Sequence, residues 1–338
     1  MIDMSELRTR GVAVVTGGGR GIGAACSVAL ARLGWDVCVG YRSDSAAAER
    51  VVGACRDLGV TAASAAADLA HPSAVTDLFA AADRLGPVTA LVNNAGVVAP
   101  AARIDEMDHA RLHTMFTVNI TAAFLCAGAA VRRMSTRHGG PGGSIVNVSS
   151  AAARIGSPGT YVDYAASKAA LDTMTLGLAQ EVAAEGIRVN GVRPGYIDTE
   201  IHASGGDPDR ARRLGATVPL GRPGRADEVA AAVAWLCTAA ASYVTGAVLD
   251  VSGGRRPGRR RRGGLRCRTG VPSRLSGRAR GAGSPSRQGG GGCSARRPAE
   301  GSRWPTGRSS RRRRGRAVNA AGVGAPHGSP PRRSARRT

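Results

Sequence analysis

From residue 11 to residue 254 the chain alternates short apolar runs with longer segments whose small and apolar residues recur at helical spacing. GVAVVTG at 11–17 is closed by glycine, and GIGAACSVALARLG follows it until Gly34 stops the pattern. WDVCVGYR, TAASAAADL, TALVNNAG, GGSIVNVSS, GIRVNGVRPG and TGAVLDVSGG repeat the first type. SAAAERVVGACRDL at 45–58, PSAVTDLFAAADRLG at 72–86, stretches from about 108 to 134 and about 161 to 184, and ADEVAAAVAWLCTAAA repeat the second. Parallel strands need a crossover between them, usually a helix, so this rhythm points to a parallel sheet covered on both faces. The expectation is an α/β fold: a single doubly wound Rossmann-type domain with a seven-stranded parallel sheet, six major helices and a polar irregular segment around 196–220. The boundaries read as a flexible N-terminus over 1–10, the folded domain over 11–254 with a substrate loop at about 196–224, and a separate tail over 255–338.

The tail sets the charge. Residues 255–338 hold 25 arginines against one acid, Glu300, so the formal +23 of the whole chain leaves about −1 for residues 1–254. RRPGRRRRGGLRCRTG, SRQGGGGCSARR and SSRRRRGRAV lack apolar periodicity. Ordering a backbone costs roughly 1–2 kcal/mol per residue, which such a stretch cannot offset by burial, so the tail reads as disordered. A polycation of this kind binds polyanions through salt-sensitive contacts without sequence preference, and no specific nucleic acid is expected. It is either a genuine appendage or the product of a shifted reading frame. Seven cysteines at 26, 38, 55, 126, 237, 267 and 293 show no paired spacing and read as free thiols of a reducing compartment. MIDMSELRTRG lacks an apolar export core and no apolar run of about 20 residues suggests a membrane span, so a cytoplasmic location is expected. The six histidines show no ligand spacing, and no metal is expected.

TGGGRGIG at 16–23 joins the first strand to the first helix. Gly17, Gly21 and Gly23 allow a tight turn, close approach to a pyrophosphate and close helix packing, while the helix N-terminus offers N–H donors to phosphate. Thr16, Gly17, Gly19, Arg20, Gly21, Ile22 and Gly23 are therefore candidate dinucleotide contacts. The end of the second strand reads Tyr41-Arg42-Ser43, with no acid in the place that would repel a 2′-phosphate, so NADP(H) is the preferred cofactor. NAD(H) stays possible, with Asp44 reaching the ribose and Arg42 an ordinary surface residue. Asp68 and Leu69 after the third strand, and Asn94, Ala95 and Gly96 after the fourth, fall on the same carboxyl edge; they read either as cofactor contacts or as loop residues satisfying local backbone.

YVDYAASKAAL at 161–171 holds two of the five tyrosines and the only lysine. Tyr164 and Lys168 are four apart and share a helix face, whereas Tyr161 would need the helix to start cleanly before it. A phenol with a reference pKa near 10 is a poor base at neutral pH, and a nearby ammonium favours its ionised form. Lysine supplies that charge on a compact head that also reaches a second partner. Ser149 and Ser150 close another strand on the same edge, and either hydroxyl can donate to a substrate carbonyl.

TGGGRGIG, NNAG, the asparagine of FTVNITAAF, the serine pair, YAASK and RPGYIDT occur in the order found in the short-chain dehydrogenase/reductase family, which the chain resembles over residues 10–254. Within that family it looks like the bacterial glucose or sugar dehydrogenases and the 3-oxoacyl-carrier-protein reductases. The resemblance implies a tetrad of Asn119, Ser150, Tyr164 and Lys168, with Asn119 holding a helix irregularity and a water in a proton relay. It implies that Pro194, Gly195, Ile197 and Thr199 flank the nicotinamide carboxamide, and that a homotetramer packs through the helices of Asn119 and Tyr164 and the last strand. The spacing from Ser150 to Tyr164 is one position longer than in many relatives, and the arginine tail falls outside the resemblance.

These readings converge on an NADP(H)-dependent oxidoreductase interconverting a small-molecule carbonyl and a secondary alcohol. The alternative is a nonenzymatic nucleotide-sensing or nucleic-acid-binding protein that uses its basic tail. In IHASGGDPDRARRLGATVPLGRPG at 201–224, expected to cover the substrate, His202, Arg210, Arg212 and Arg213 either touch an anionic or hydroxylated substrate or are solvated helix charges.

Overall fold

The computed structural model describes residues 11–255. The expectations for residues 1–10, for Cys267 and Cys293, and for the tail from residue 256 onward lie outside the described residues. Arg255, grouped with the tail in sequence, is part of the described structure.

The first half runs β1 (Val12–Val15), α1 (Gly21–Arg32), β2 (Asp36–Tyr41), α2 (Ser45–Arg56), β3 (Ala62–Ala66), α3 (Pro72–Asp83) and β4 (Val88–Asn93). After it come α4 (His109–Phe116), a π turn (Thr117–Thr121), α5 (Ala122–Met134), β5 (Gly143–Val148), α6 (Ala152–Ile155) and α7 (Val162–Val182). The chain then forms β6 (Ile187–Pro194), α8 (Ile201–Ser204), α9 (Arg210–Gly215), α10 (Ala226–Cys237) and β7 (Val248–Val251). All seven strands are parallel in the order β3-β2-β1-β4-β5-β6-β7. The connections leave β1 toward one edge and β4 toward the other, so the strand order reverses between them and opens a crevice at their carboxyl ends.

The central strands are apolar on both faces because both faces are covered. Val15, Val37, Val39 and Val146 join residues of α1, α2 and α10 in one core, and Val14, Leu91, Ile145 and Val189 join residues of α3, α5 and α7 in the other. Cys26, Cys38, Cys55, Cys126 and Cys237 are buried and free. Burial pushes the Cys38, Cys126 and Cys237 thiols up to about 12 and Cys55 to about 11, which makes them packing residues rather than nucleophiles.

Two segments differ from the sequence reading. The helix expected over 108–134 is interrupted by the π turn, and the segment read as irregular around 196–220 contains α8 and α9. By length and composition alone, His109–Met134 is also long and apolar enough to cross a bilayer. In the fold it docks on the sheet: Asn93 Nδ2 donates to the Ala123 carbonyl at 3.2 Å, and Ala122, Cys126 and Ala130 are buried in the core.

Candidate active site

The glycine turn is held open by its own backbone and pinned from β4. Gly17 and Gly21 have φ of 62° and 53°, in the left-handed region that favours glycine. At Gly23 a Cβ would sit 2.1 Å from the Gly17 carbonyl oxygen, so any side chain there would force α1 off the turn. Asn94 Nδ2 donates to the carbonyls of Thr16 at 3.0 Å and Gly17 at 3.1 Å. The Thr16 hydroxyl accepts the Asn94 and Ala95 N–H groups at 3.0 Å each and donates to Val92 at 3.3 Å. These bonds join the turn of β1 to the loop after β4 across the point where the strand order reverses.

A cleft of about 360 Å³ opens above this junction. One end is formed by Thr16, Gly17, Gly19, Arg20, Gly21 and Ile22, and another by Tyr41, Arg42, Ser43 and Asp44. Asp68 and Leu69 form a side wall, Asn94, Ala95 and Gly96 the floor, and Thr199 part of the opposite rim. Arg20 and Arg42 are exposed and join no ion pair among the described residues. The Asp44 carboxylate accepts the Ala47 N–H at 2.9 Å as the N-cap of α2, which commits one of its oxygens to the helix. Asp68 likewise accepts the Ala70 N–H, at 3.1 Å. The shape, the glycine turn along one end and the two exposed guanidiniums fit a dinucleotide with its phosphates on the turn and its adenosine end beside β2.

Tyr164 lies in the first turn of α7, with Tyr161 at the N-cap, so the helix starts between the two tyrosines. The neighbouring serines have different surroundings. Ser149 is buried and donates to the Lys168 carbonyl at 2.9 Å, whereas the Ser150 hydroxyl accepts the Ala152 N–H at 3.1 Å and lies near enough to the Tyr164 phenol to favour its ionised form. Lys168 is buried, donates from Nζ to the Val148 carbonyl at 2.9 Å, and has Nζ 5.8 Å from the centre of the Tyr164 ring. A Cβ at Gly96 would lie 3.2 Å from both Lys168 Nζ and Asn119 Oδ1, so the glycine of NNAG leaves room where the cleft meets the lysine.

Asn119 occupies the π turn. Its Oδ1 accepts the Val97 N–H at 2.7 Å, while Nδ2 donates to the Val97 carbonyl and the Ser167 hydroxyl, both at 3.0 Å. A single extra residue in the helix thus turns one side chain out of the i→i−4 ladder to hold the loop after β4.

The electrostatics oppose ionisation of both groups in the free protein. Burial raises the Tyr164 phenol, partly offset by the Ser150 hydroxyl, and burial lowers the Lys168 ammonium to about 8, partly offset by the Asp172 carboxylate one turn on. Asp172 pairs with Arg193 of β6 at 2.7 Å, and its Oδ1 is buried without a hydrogen bond. The sequence reading expects the ammonium to lower the phenol; in the structure burial sets the direction, and Ser150 rather than Lys168 opposes it.

Gly23 lies beneath the turn, and Pro194, Gly195 and Ile197 lie outside the walls of the cleft. The Pro194 carbonyl accepts the Ala151 N–H at 2.9 Å, next to Ser150, while Ile197 is buried in the core and bridges to Gly224. Two buried sets went unread in the sequence. Asn93, Asn147 and Thr175 form a chain of hydrogen bonds at 3.0 and 2.9 Å beneath the site, announced only by asparagines within apolar strands. Asp163, fully buried beside Tyr164, pairs with Arg111 of α4 at 2.8 Å and ties α7 to the helix of Asn119.

A parallel doubly wound sheet with a glycine turn, a cleft at the strand-order reversal and a serine–tyrosine–lysine group at its end defines a nucleotide-dependent oxidoreductase. The family described as Enoyl-(Acyl carrier protein) reductase matches residues 17–256. The chain is 48% identical over 245 residues to the uncharacterized oxidoreductase YgfF of Escherichia coli (strain K12), covering 72% of this chain and 99% of that one. It is 39% identical over 252 residues to the cis-4-hydroxycyclohexanecarboxylate dehydrogenase of Sinomonas cyclohexanicum, covering 74% and 98%. A crystal structure of a short chain dehydrogenase from Burkholderia cenocepacia J2315 in complex with NADP superimposes with a TM-score of 0.67 at 34% identity, over 73% of this chain and 98% of that one. The chain belongs to the short-chain dehydrogenase/reductase family. It is an oxidoreductase that uses a nicotinamide dinucleotide to interconvert carbonyls and alcohols of small molecules.

Proposed function

We propose that the protein is an NADP(H)-preferring enzyme in which Ser150 and Tyr164 hold and protonate the carbonyl oxygen of a ketone, and in reverse deprotonate a secondary alcohol. The Ser150 hydroxyl beside the Tyr164 phenol, with the Lys168 ammonium 5.8 Å from the ring centre and next to Gly96 of the cleft, carries this reading. When bound, a nicotinamide ring supplies hydride to the carbonyl carbon in one direction and accepts it from the carbinol carbon in the other. The oxygen that gains negative charge as the π pair of the C=O bond moves onto it takes the phenolic proton of Tyr164, while the Ser150 hydroxyl donates to the same oxygen. Lys168 keeps positive charge near the phenolate left behind, and Asn119 fixes the loop and Gly96 against which Lys168 lies. The name of the Sinomonas relative supports a secondary alcohol on a small molecule as the substrate.

Arg42, exposed and without an ion-pair partner among the described residues at the β2 end of the cleft, and Arg20, likewise exposed on the glycine turn, support recognition of a 2′-phosphate. Arg42→Asp is expected to lower kcat/KM for NADPH about 10–100-fold and to raise it for NADH. Equal loss with both cofactors would remove Arg42 from this role. The carbonyl reading itself is tested by absorbance assays of NADPH and NADH consumption with ketones, sugars, acyl thioesters and quinones. Consumption with none of these classes would overturn it. Exposed Phe124 and Leu125 on α5 and Leu176 on α7 support the homotetramer packing inferred from the resemblance.

A further inference from the structure

Tyr164 is the third residue of α7, in the turn that the helix itself holds least. The first N–H groups of a helix have no partner inside it, and the N-cap of α7 supplies none from its side chain: the Tyr161 hydroxyl goes instead to the Gly205 carbonyl at 3.4 Å. The connection before it contains Gly156, Ser157 and Gly159 with φ of 71°, 44° and 70°. A residue with a side chain thus takes a left-handed conformation just ahead of the helix. A first turn entered in this way frays unless something outside the helix holds it.

Two side chains hold it. The Ser167 hydroxyl donates to the Tyr164 carbonyl at 2.7 Å and accepts from Asn119 Nδ2, which joins the turn to the π turn. Asp163 joins it to α4. Its fully buried carboxylate accepts from Arg111 Nε at 2.8 Å and Nη2 at 3.4 Å, and the same guanidinium donates from Nη1 to the Pro100 carbonyl at 2.7 Å. One arginine therefore fixes three pieces of chain: α4, the loop after β4 and the first turn of α7. The Ala102 N–H adds a bond from that loop to the Thr160 carbonyl at 3.0 Å. Tyr164 lies between the two anchors, one position after Asp163 and three before Ser167.

Stability is a poor reason for such a pair. The cost of taking two charges out of water largely cancels their attraction, and apolar residues of similar volume often fill the same space without loss. What an apolar pair lacks is direction: a planar guanidinium bonded at three of its nitrogens admits one placement of the carboxylate. We propose that Arg111 and Asp163 are positioning residues, whose buried pair sets the first turn of α7 and with it the place of the Tyr164 phenol beside Ser150. This rests on the reading of Tyr164 as the proton donor.

The test uses the full chain with NADPH and whichever ketone, sugar, acyl thioester or quinone it consumes fastest. In Arg111→Met/Asp163→Leu both charges leave together, so no lone charge stays buried, and a native-like urea midpoint checks the fold. Its kcat at saturating NADPH and substrate is expected to fall about 10–100-fold, since a misplacement of about 1 Å costs up to about 10²-fold. The Kd of NADPH, followed by fluorescence, should stay within about twofold of the native value. Arg111→Lys keeps the charge without the fork and should lose a smaller share of kcat at the same Kd. Hydrogen exchange at the amides of 165–168, which close the first turns of α7, should be faster in the double variant. That result supports the anchor even if no carbonyl is turned over, an outcome that would sink the carbonyl reading instead. Unmoved exchange, or a kcat within about twofold of native in the double variant, would overturn the proposal. If the double variant loses NADPH binding, Arg111→Lys decides: a native kcat, or loss of binding there too, would make the pair a brace of the whole fold and overturn its positioning role.

Discussion

Tyr164→Phe is expected to lose about 10²–10⁴-fold in kcat at saturating cofactor while binding NADPH as tightly as the native enzyme. The substitution removes one oxygen from a half-buried ring and leaves the ring stacked below Lys168, so neither the helix nor the cleft loses a packing contact. What it removes is the phenol hydroxyl that Ser150 approaches. Steady-state kinetics and cofactor fluorescence check both halves of the expectation. Near-native turnover would assign proton transfer to another group, and loss of cofactor binding would show that the phenol is a binding residue.

Lys168→Met is expected to abolish most turnover and to change how stability depends on pH. The ammonium titrates at about 8 in the folded chain, against about 10.4 in an unfolded one. A lysine whose folded value is depressed makes the fold less stable wherever it is protonated, fully so below about pH 8. The unfolded chain binds the extra proton between these two values, so this cost disappears as pH rises through that window. Relative to Lys168→Met, which has no such titration, the native protein should gain stability from pH 8 to pH 10, by about 3 kcal/mol at most. The Val148 carbonyl loses its donor in the variant, which costs about 1–3 kcal/mol independent of pH and does not alter the slope. Urea unfolding of both proteins at several pH values gives the difference directly; parallel curves would mean that the lysine is not desolvated.

The sheet was legible because its strands are apolar on both faces and its crossovers are helical, two periods that need no tertiary information. The glycine turn was legible for a similar reason, since a backbone that must take a positive φ selects its residue. The features that sequence left open depend on partners far along the chain. Ser149 and Ser150 are chemically equivalent in GSIVNVSS, and only the fold separates their surroundings, because the Lys168 carbonyl engages Ser149. FTVNIT contains no helix breaker, and its π turn follows from the bonds between Asn119 and the backbone of Val97. Asp163 is buried because Arg111, 52 positions earlier, is brought to it by the fold. Arg255 reads as the first residue of a basic tail, and only the fold places it on Tyr196.

The pressure on the phenol explains why both neighbours are needed. Burial alone keeps Tyr164 protonated, which suits a proton donor in reduction but would stall alcohol oxidation. In the proposed mechanism the charge of Lys168, itself held by Asp172 against the pull of burial, would be joined by the positive charge of an oxidised nicotinamide in favouring the phenolate. Near-ultraviolet difference absorbance between the native protein and Tyr164→Phe follows that single ionisation as pH is raised, with and without NADP+. The phenolate is expected to form at distinctly lower pH with NADP+ bound than without it; a midpoint unmoved by the cofactor would contradict the placement of Tyr164 beside the reacting ring.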